Sequence, residues 1–374
     1  MAEPIRVMIV DDSSFMRKSL ERMLMSEDIH VVGTARDGLD ALEKIPILKP
    51  DILTLDIEMP KMDGLTCLKK IMAEFPMPVL MVSSLTHEGA KATLDALALG
   101  ALDFIPKEKK LDGTDGDALS FQNDLLEKVK RLAHSPKFKT HRHLQPYAGQ
   151  APPRVGIPHP IKTPSAPVMA VSPKSGATTL PAQPRAEIIV LGCSTGGPKA
   201  LQDFLPYLPK NLPVPLLIVQ HMPSSFTRPF AERLNGICQL EVKEASNGDI
   251  PQPGHIYIAP GGIHMHVRSQ LGHYVIELNP EPSSTLHRPS VDVLFQSAFD
   301  ACNSQILAII LTGMGADGAQ GMKKLKSKGA YTLAEAESSC VVYGMPKAAV
   351  ELGCVDIVAP IQEMAGILKH HFQL

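Results

Sequence analysis

The 374-residue sequence has no tryptophan and only six cysteines, none of which forms a C-x-x-C pair. Disulfide frameworks and cysteine zinc sites use regular or close cysteine spacing, so we expect reduced thiols and no such site. No apolar run approaches the roughly 18–20 residues of a membrane span. The amino-terminal residues also lack the pattern of a secretory signal. We therefore expect a cytoplasmic protein that is not inserted in a membrane.

An excess of charge of either sign is also missing. The chain carries 37 Lys and Arg residues against 39 Asp and Glu residues, which gives a formal net charge of −2. This balance offers no electrostatic reason to expect nucleic acid or an anionic membrane as the main partner. Hydrophobic residues make up 44% of the chain, a share typical of globular proteins, and its length suits about two or three domains.

Prolines, by contrast, are abundant and unevenly placed. Eleven of the 33 prolines lie in residues 135–184, a stretch without Asp or Glu. This composition favours extended, solvated backbone, so we predict a flexible linker over residues 134–185 between domains at 1–133 and 186–374. The same prolines also fit a second interpretation, a polyproline ligand for a partner module.

Short apolar runs alternate with helix-like periodicity on both sides of this linker. Strands that alternate with helices form parallel sheets covered on both faces, so we predict two doubly wound α/β domains. The predicted strands lie at residues 6–10, 31–32, 52–55, 79–82, 103–105, 187–191, 216–219, 256–258 and 306–311, and predicted helices at 119–132, 201–205, 229–234 and 291–301.

Polar side chains follow four of the five strands predicted in the first domain. Asp11 and Asp12 follow the first strand, Asp56 the third, Ser83 the fourth and Lys107 the fifth. Chemistry in open parallel sheets lies beyond the carboxyl ends of the strands, so we expect these groups at one edge. Clustered carboxylates favour a hard cation such as Mg²⁺, beside which a carboxylate can attack phosphorus.

The segments LTLDIEMPKMDG, MVSS and DFIPKE, together with the Asp11-Asp12 pair, make residues 1–133 resemble a response-regulator receiver domain. The resemblance implies a five-stranded sheet in the order 2-1-3-4-5. It implies that a histidine kinase is the source of the phosphoryl group on Asp56. It also implies Mg²⁺ held by Asp11 or Asp12, Asp56 and the backbone carbonyl of Glu58.

Phe104 matches the aromatic switch position of the receiver family. Proline usually follows the lysine in that family, whereas here Pro106 precedes Lys107 and Glu108 follows it. A cis peptide bond between Lys107 and Glu108 would cost about 2.5–4 kcal/mol. The sequence therefore leaves the geometry of this loop open.

The first strand of the second domain leads into a glycine turn and then a helix. Its segment GCSTG satisfies the G-x-S-x-G pattern, in which the glycines allow a sharp turn that exposes Ser194. A dinucleotide site at the same turn is disfavoured, because the glycine spacing differs from G-x-G-x-x-G. Gln220 and His221 also stand where an acidic ribose partner would be expected.

A serine nucleophile needs a base, and the base needs an orienting acid. His221 ends the next predicted strand and Asp317 follows another, so all three side chains are expected at carboxyl ends of parallel strands. The chain order Ser, His, Asp differs from that of α/β-hydrolases. Backbone amides at residues 313–315, or near Thr195, are candidates for an oxyanion hole.

Other histidines of the second domain include a closely spaced pair. His264 and His266 are two residues apart and would share one face of a strand. A metal pair is one interpretation, but no nearby carboxylate or cysteine completes a ligand set. We expect these two, with His255, His273 and His287, to line a pocket, to be satisfied in the core or to lie on the surface.

The second domain also resembles the catalytic domain of chemotaxis protein-glutamate methylesterases. The resemblance implies Ser194 as nucleophile, His221 as general base and acid, and Asp317 as orienting acid. It places Met314 at an oxyanion-hole amide and Thr195 in the same pocket. The matching segments, within residues 187–350, are GCSTGGPKAL, VQHMPSSFTRPFAERL, IYIAPGGIHM, HRPSVDVLF, LTGMGADGAQGM and CVVYGMPKAA.

Such an enzyme would hydrolyse glutamate γ-methyl esters on chemoreceptors, deamidate specific receptor glutamines and need no cofactor in the esterase site. The joined receiver implies control by phosphorylation, with the unphosphorylated receiver covering the active site. Family members usually have alanine where Cys193 stands, and we expect this thiol to be a small buried filler. Two alternatives are a receiver coupled to a non-catalytic binding module and a nicotinamide enzyme. These motifs do not specify the receptor, the cognate kinase, the docking site or the oligomeric state.

Overall fold

The computed structural model describes residues 3–107, 115–139, 186–302 and 305–374. Glu108 lies outside the described residues, and so does the Lys107–Glu108 peptide bond. Residues 140–185 of the predicted linker lie outside them as well. The described beginning of that segment contains a four-residue helix, Pro136–Lys139.

The first α/β unit is built on a parallel sheet of five strands in the order β2-β1-β3-β4-β5, which confirms the predicted order. Alternate residues of β1 enter different apolar clusters, Met8 and Val10 in one and Val7 and Ile9 in the other, so both sheet faces are buried. The elements are β1 (Ile5–Val10), α1 (Ser14–Met23), β2 (Ile29–Ala35), α2 (Gly38–Leu48), β3 (Ile52–Asp56), α3 (Gly64–Glu74), β4 (Val79–Ser84), α4 (His87–Leu99), β5 (Asp103–Lys107), α5 (Asp115–Ala133) and α6 (Pro136–Lys139).

Three strands of this sheet extend beyond the apolar runs that predict them. Asp56 and Lys107 are the last residues of β3 and β5, and Ser83 lies within β4, because parallel pairing continues as far as Ser84 opposite Lys107. The backbone ladder uses main-chain groups, so a polar side chain does not end a strand. All three residues still lie at the carboxyl edge of the sheet.

The second unit contains seven parallel strands in the order β14-β13-β12-β6-β7-β9-β8. The prediction of a second parallel α/β sheet is thereby confirmed. Strands β12, β6 and β7 are neighbours at its centre, so the segments that follow them emerge side by side. The strands are β6 (Ile188–Cys193), β7 (Leu216–Gln220), β8 (Glu241–Glu244), β9 (His255–Ile258), β12 (Ile306–Ile310), β13 (Tyr331–Glu335) and β14 (Ile357–Ala359).

An antiparallel hairpin, β10 (His264–Gln270) with β11 (His273–Asn279), forms a separate two-stranded sheet that the apolar runs do not predict. In strand β10 the first four residues are all buried and the last three are exposed, so neither a continuous apolar run nor a regular alternation marks this strand. The turn between the strands places Leu271 and Gly272 at positive φ, 49° and 83°.

The helices of the second unit begin earlier than predicted at two places. α7 begins at Gly197, because Pro198 fits the first turn of a helix, where its missing N–H has no partner to lose. α8 begins at Ser224 and contains Pro229 inside it. The helices are α7 (Gly197–Phe204), α8 (Ser224–Asn235), α9 (Val291–Ala301), α10 (Ala319–Ser327), α11 (Met345–Glu351) and α12 (Ile361–Phe372).

The two units touch through helix α4 of the first and helix α8 of the second. Asp95 of α4 forms an ion pair with Arg233 of α8. The rings of Phe104 in the first unit and Phe226 in the second also stack, with centroids 4.5 Å apart. Within the described ranges, no helix has the length and apolarity that a bilayer crossing requires.

Phe295 supplies a test of the core of the second unit. Its side chain is fully buried on the α9 face of the central sheet, so we expect Phe295→Ala to lower the free energy of unfolding by about 3–5 kcal/mol. Urea unfolding followed by circular dichroism measures the change. Tyr207→Ala is the control, because that side chain is 65% exposed and its loss should cost about 0.5 kcal/mol or less. Equal effects would contradict the assigned packing.

Candidate active sites

Three neighbouring strands deliver the predicted catalytic side chains to one edge of the second sheet. Ser194 follows β6 directly, His221 follows β7 directly, and Asp317 lies in the loop after β12. β6 pairs with both of the other strands, so the three segments leave the sheet together.

The turn after β6 makes a tight change of direction at Ser194, which is half-buried. The Ser194 amide donates to the carbonyl of Thr312 at 3.0 Å, and the Gly197 amide donates back to the Ser194 carbonyl at 2.7 Å. Gly196 between them has φ of 79°, a conformation that favours glycine. The G-x-S-x-G spacing therefore folds as a strand, a turn and helix α7.

Asp317 is bound at the first turn of helix α9. Its carboxylate accepts hydrogen bonds from the Ser290 hydroxyl at 2.9 Å and from the amides of Val291 and Asp292 at 2.7 and 2.9 Å. It also pairs with Nε2 of His221 at 2.8 Å. Burial alone would raise the pKa of Asp317, but the His221 contact and the two amides lower it to about 2. The carboxylate is therefore ionised and holds the imidazole in place.

The other ring nitrogen of His221 is not used by Asp317. Nδ1 is buried and has no hydrogen-bond partner among the described residues. The ring of His287 stacks on that of His221, with centroids 4.2 Å apart. Burial first, and then the neighbouring His221, lower the pKa of His287 to about 4, so it is neutral at neutral pH.

The side chains of Ser194, His221 and His287 face one cavity of about 630 Å³. From the second unit, Ser194, His221 and His287 line it, and so do Thr195 and Met314. Its opposite wall comes from the first unit. The receiver-like residues in that wall include Asp103, Phe104 and Lys128.

The first unit carries its own polar cluster at the carboxyl edge of its sheet. Lys107 Nζ lies 2.9 Å from Asp11 Oδ2 and 2.8 Å from Asp56 Oδ2. Ligand oxygens of Asp11, exposed Asp12 and Asp56 all lie within 4.8 Å of one another. Burial raises the pKa of Asp56 to about 6, against the opposing effect of Lys107.

These carboxylates fit a hard divalent cation. Asp11 Oδ2 is buried, and although it lies near the Lys107 ammonium it has no hydrogen bond of acceptable geometry among the described residues. Oxygen ligands from several carboxylates, with space for water at the exposed Asp12, are what Mg²⁺ prefers. Glu58, two residues after Asp56, is exposed.

Ser83 is placed at the same edge but its hydroxyl turns toward α4. It lies 2.6 Å from the Thr93 hydroxyl and donates to the Gly89 carbonyl at 3.3 Å. The structure thus brings Asp11, Asp56 and Lys107 into direct contact, while the described hydrogen bonds of Ser83 go elsewhere.

The histidine pair of β10 is satisfied by backbone groups. His264 Nδ1 accepts from the Ser290 amide and its Nε2 contacts the Pro282 carbonyl, at 3.1 and 3.2 Å. His266 Nε2 contacts the Glu281 carbonyl at 3.1 Å. Within the described part of the chain, the side chains that cluster as candidate metal ligands in a group of three or more are Asp11, Asp12 and Asp56 of the first unit.

Sequence reasoning misses Ser290 and Phe226, and it predicts His287 only as one of several histidines that could line a pocket. Ser290 and His287 lie in an irregular loop. Phe226 lies in helix α8 of the second unit, whereas the Phe104 ring that it contacts belongs to the first unit. The segment HRPSVDVLF holds Ser290 and His287, but periodicity gives no reason to select them. Only the packing of α9 brings Ser290 to Asp317, and only the contact between the two units brings Phe226 to Phe104.

Comparison with known proteins agrees with both halves of this architecture. A model of the CheB methylesterase family matches residues 189–368, and a model of the response regulator receiver domain matches residues 7–113. A protein-glutamate methylesterase/protein-glutamine glutaminase of Oleidesulfovibrio alaskensis is 48% identical over 96% of this chain and 97% of its own length. One of Halalkalibacterium halodurans is 44% identical over 98% of this chain and 97% of its own. The solved catalytic domain of Thermotoga maritima CheB methylesterase is 42% identical, covers 49% of this chain and 97% of that one, and gives a TM-score of 0.48.

Fold and site together define a response-regulator receiver joined to an α/β enzyme domain with a serine, a histidine and an aspartate at one sheet edge. The near full-length relatives then fix the family. The chain belongs to the CheB methylesterase family.

The lowered pKa of Asp317 generates a pH-dependent stability difference. A carboxylate with a folded pKa near 2 and an unfolded value of 3.8 stabilises the fold by about 2 kcal/mol above pH 6, and this contribution is lost as pH falls. Asp317→Asn cannot titrate, so we expect its stability deficit relative to the wild type to narrow by about 1 kcal/mol between pH 6 and pH 3. Urea unfolding at several pH values measures it. A constant deficit would contradict the assigned contacts.

Proposed function

We propose that this chain is a phosphorylation-activated serine hydrolase that removes γ-methyl esters from glutamates of chemoreceptors and deamidates specific receptor glutamines. The observation that carries the proposal is the cavity that Ser194 and His221 both line, where Nδ1 of His221 has no partner among the described residues and its Nε2 is held by Asp317. The names of the relatives supply the ester and the amide as substrates. A non-catalytic binding module would not need this buried, oriented imidazole.

The first half of the reaction forms an acyl-enzyme. Nδ1 of His221 takes the hydroxyl proton of Ser194, and Oγ attacks the γ-carbonyl carbon of the substrate glutamate ester. The tetrahedral intermediate collapses as His221 returns the proton to the leaving oxygen, and methanol departs. Ionised Asp317 stabilises the imidazolium through Nε2.

The second half releases glutamate. Water gives a proton to His221 and attacks the acyl carbon, and Ser194 leaves with the proton from the imidazolium. A glutamine side chain follows the same course with ammonia as the leaving group. None of these steps uses a cofactor.

The negative oxygen of each intermediate needs hydrogen-bond donors. The amides of Met314 and Thr195 suit this role, because both residues line the cavity and neither amide has a partner among the described residues. The Gly313 amide is excluded, since it donates to the Val342 carbonyl at 3.1 Å. Preorganised donors of this kind contribute about 3 kcal/mol each to transition-state stabilisation.

The receiver, at residues 1–133, controls access to this site in our proposal, and residues 134–185 join it to the catalytic domain at 186–374. Its Phe104 stacks on Phe226, and its residues form one wall of the catalytic cavity. A receptor segment carrying the ester must displace that wall. Phosphorylation at Asp56 would shift the population toward the displaced arrangement.

The phosphoryl group comes from a histidine kinase, which is the usual donor to a receiver. Asp56 accepts it, Lys107 contacts both Asp56 and Asp11, and Asp11, Asp12, Asp56 and the Glu58 carbonyl would hold Mg²⁺. When bound, this ion neutralises charge on the phosphoryl oxygens. We place the protein in the cytoplasm, with support from the six cysteines, all of which are free thiols.

Ser194→Ala tests the nucleophile. We expect methanol release from methylated receptor fragments of the same organism to fall by about 10⁴-fold or more, because no other hydroxyl replaces Oγ. Phosphorylation of Asp56 by a phosphodonor should be unchanged in this variant. Retained esterase activity would refute the assignment. Ser225→Ala, in the first turn of α8 and not among the residues that line the cavity, is the control and should keep full activity.

Asp56→Ala tests the control by the receiver. The wild type should release methanol faster after addition of acetyl phosphate and Mg²⁺, whereas the variant should keep its basal rate and gain nothing. The reason is that the acceptor carboxylate is missing while the catalytic side chains are untouched. Stimulation of the variant by the phosphodonor would contradict the model.

A further inference from the structure

Gln220 occupies a position between the proposed nucleophile and the proposed base that no part of the mechanism above uses. It is the last residue of β7, is buried, and pairs in register with Cys193, the last residue of β6. Beyond this pair the two chains separate, Ser194 toward helix α7 and His221 toward helix α8. The His221 amide still donates to the Cys193 carbonyl at 3.2 Å, which is the final ladder contact.

The side-chain amide of Gln220 bridges the two chains where the ladder ends. Its Nε2 donates to the Ser194 carbonyl at 3.0 Å and to the His221 carbonyl at 3.0 Å. Both amide hydrogens are thus used, one on each catalytic residue. These are hydrogen bonds to the backbone of the nucleophile and of the base, not to their reacting atoms.

The other end of the amide is also engaged. The Cys193 thiol donates to Oε1 at 3.1 Å, and burial raises the pKa of this thiol well above its usual value, so it keeps its proton. Helix α7 closes the space, because a Cβ on Gly197 would lie 2.1 Å from Oε1. The thiol and the two carbonyls together select one orientation of the amide, since the flipped orientation would face Oε1 toward two carbonyl oxygens.

We propose that Gln220 is a positioning residue that sets the distance between Ser194 and His221, and that Cys193 fixes the orientation of its amide. The inference rests on the proposed function and adds a residue to it. Proton transfer from Oγ to Nδ1 requires hydrogen-bond distance in the reacting complex, and a misplacement of about 1 Å can cost about 100-fold in rate. The bridge is part of the second domain alone, so it acts whether or not the receiver covers the cavity.

The test compares Gln220→Glu and Gln220→Met with the wild type in methanol release from methylated receptor fragments. Glu places an acceptor against two carbonyl oxygens, and Met keeps the length but provides no donor. We expect kcat to fall about 100-fold in both, with KM changed by less than about twofold, because substrate contacts are untouched. Gln362→Glu, at an exposed position of helix α12 outside the cavity, is the control and should keep wild-type kcat.

Cys193→Ala measures the contribution of the thiol. Loss of one weak hydrogen bond should lower kcat about threefold, again without a change in KM. The inference would be overturned if the Gln220 variants changed KM alone. It would also be overturned if Gln220→Met kept its thermal transition and a kcat within about threefold of the wild type. If Gln220→Glu does not fold, Gln220→Met carries the same test.

Ser194→Ala in the same assay distinguishes failure of the proposed function from failure of the positioning role of Gln220. Activity that survives in Ser194→Ala refutes the proposed function itself. Activity that is lost in Ser194→Ala but kept in both Gln220 variants refutes only the positioning role.

Discussion

The hydrogen bonds between the Asp317 carboxylate and the start of helix α9 are the interaction on which the catalytic domain depends. A buried anion is costly unless donors surround it, and here Ser290, two backbone amides and His221 supply them. Because α9 must bring its first turn to this carboxylate, it packs very closely on β6. A Cβ on Gly192 would lie 2.2 Å from the side chain of Val291, so only glycine allows the approach.

Asp317 and Asp56 show how environment decides the use of a carboxylate. Asp317 has donors on every side, its pKa is lowered to about 2, and it remains ionised to hold an imidazole. Asp56 has the Lys107 ammonium and one backbone amide against its burial, and its pKa is raised to about 6. The cost of burying the Asp56 carboxylate is therefore only partly offset by its partners. This suits a group that is proposed to receive a cation and a phosphoryl group.

Strand β5 relates these two sites physically. It carries Lys107, which contacts Asp56, and three residues earlier Phe104, which stacks on Phe226 of the catalytic domain. A change at the proposed phosphorylation site that moves β5 would therefore disturb the wall of the cavity, to which Phe104 contributes. This contiguity gives the proposed control a route that needs no long chain of intermediates.

The sequence by itself determined the alternation of strands and helices, the strand ends that carry Asp11, Asp56, Lys107, Ser194 and His221, and the family. These follow from local apolar runs and from short motifs whose glycines and carboxylates have a local reason. Only the tertiary structure decided the order of the seven-stranded sheet, the β10–β11 hairpin, the donors around Asp317, the hydroxyl direction of Ser83 and the amide bridge of Gln220. The sheet order, the donors around Asp317 and the Gln220 bridge join segments far apart in the chain, and local periodicity contains no information about which distant donor a buried polar group will find. The hairpin and the Ser83 contacts lie closer along the chain, but no apolar run or motif marks them.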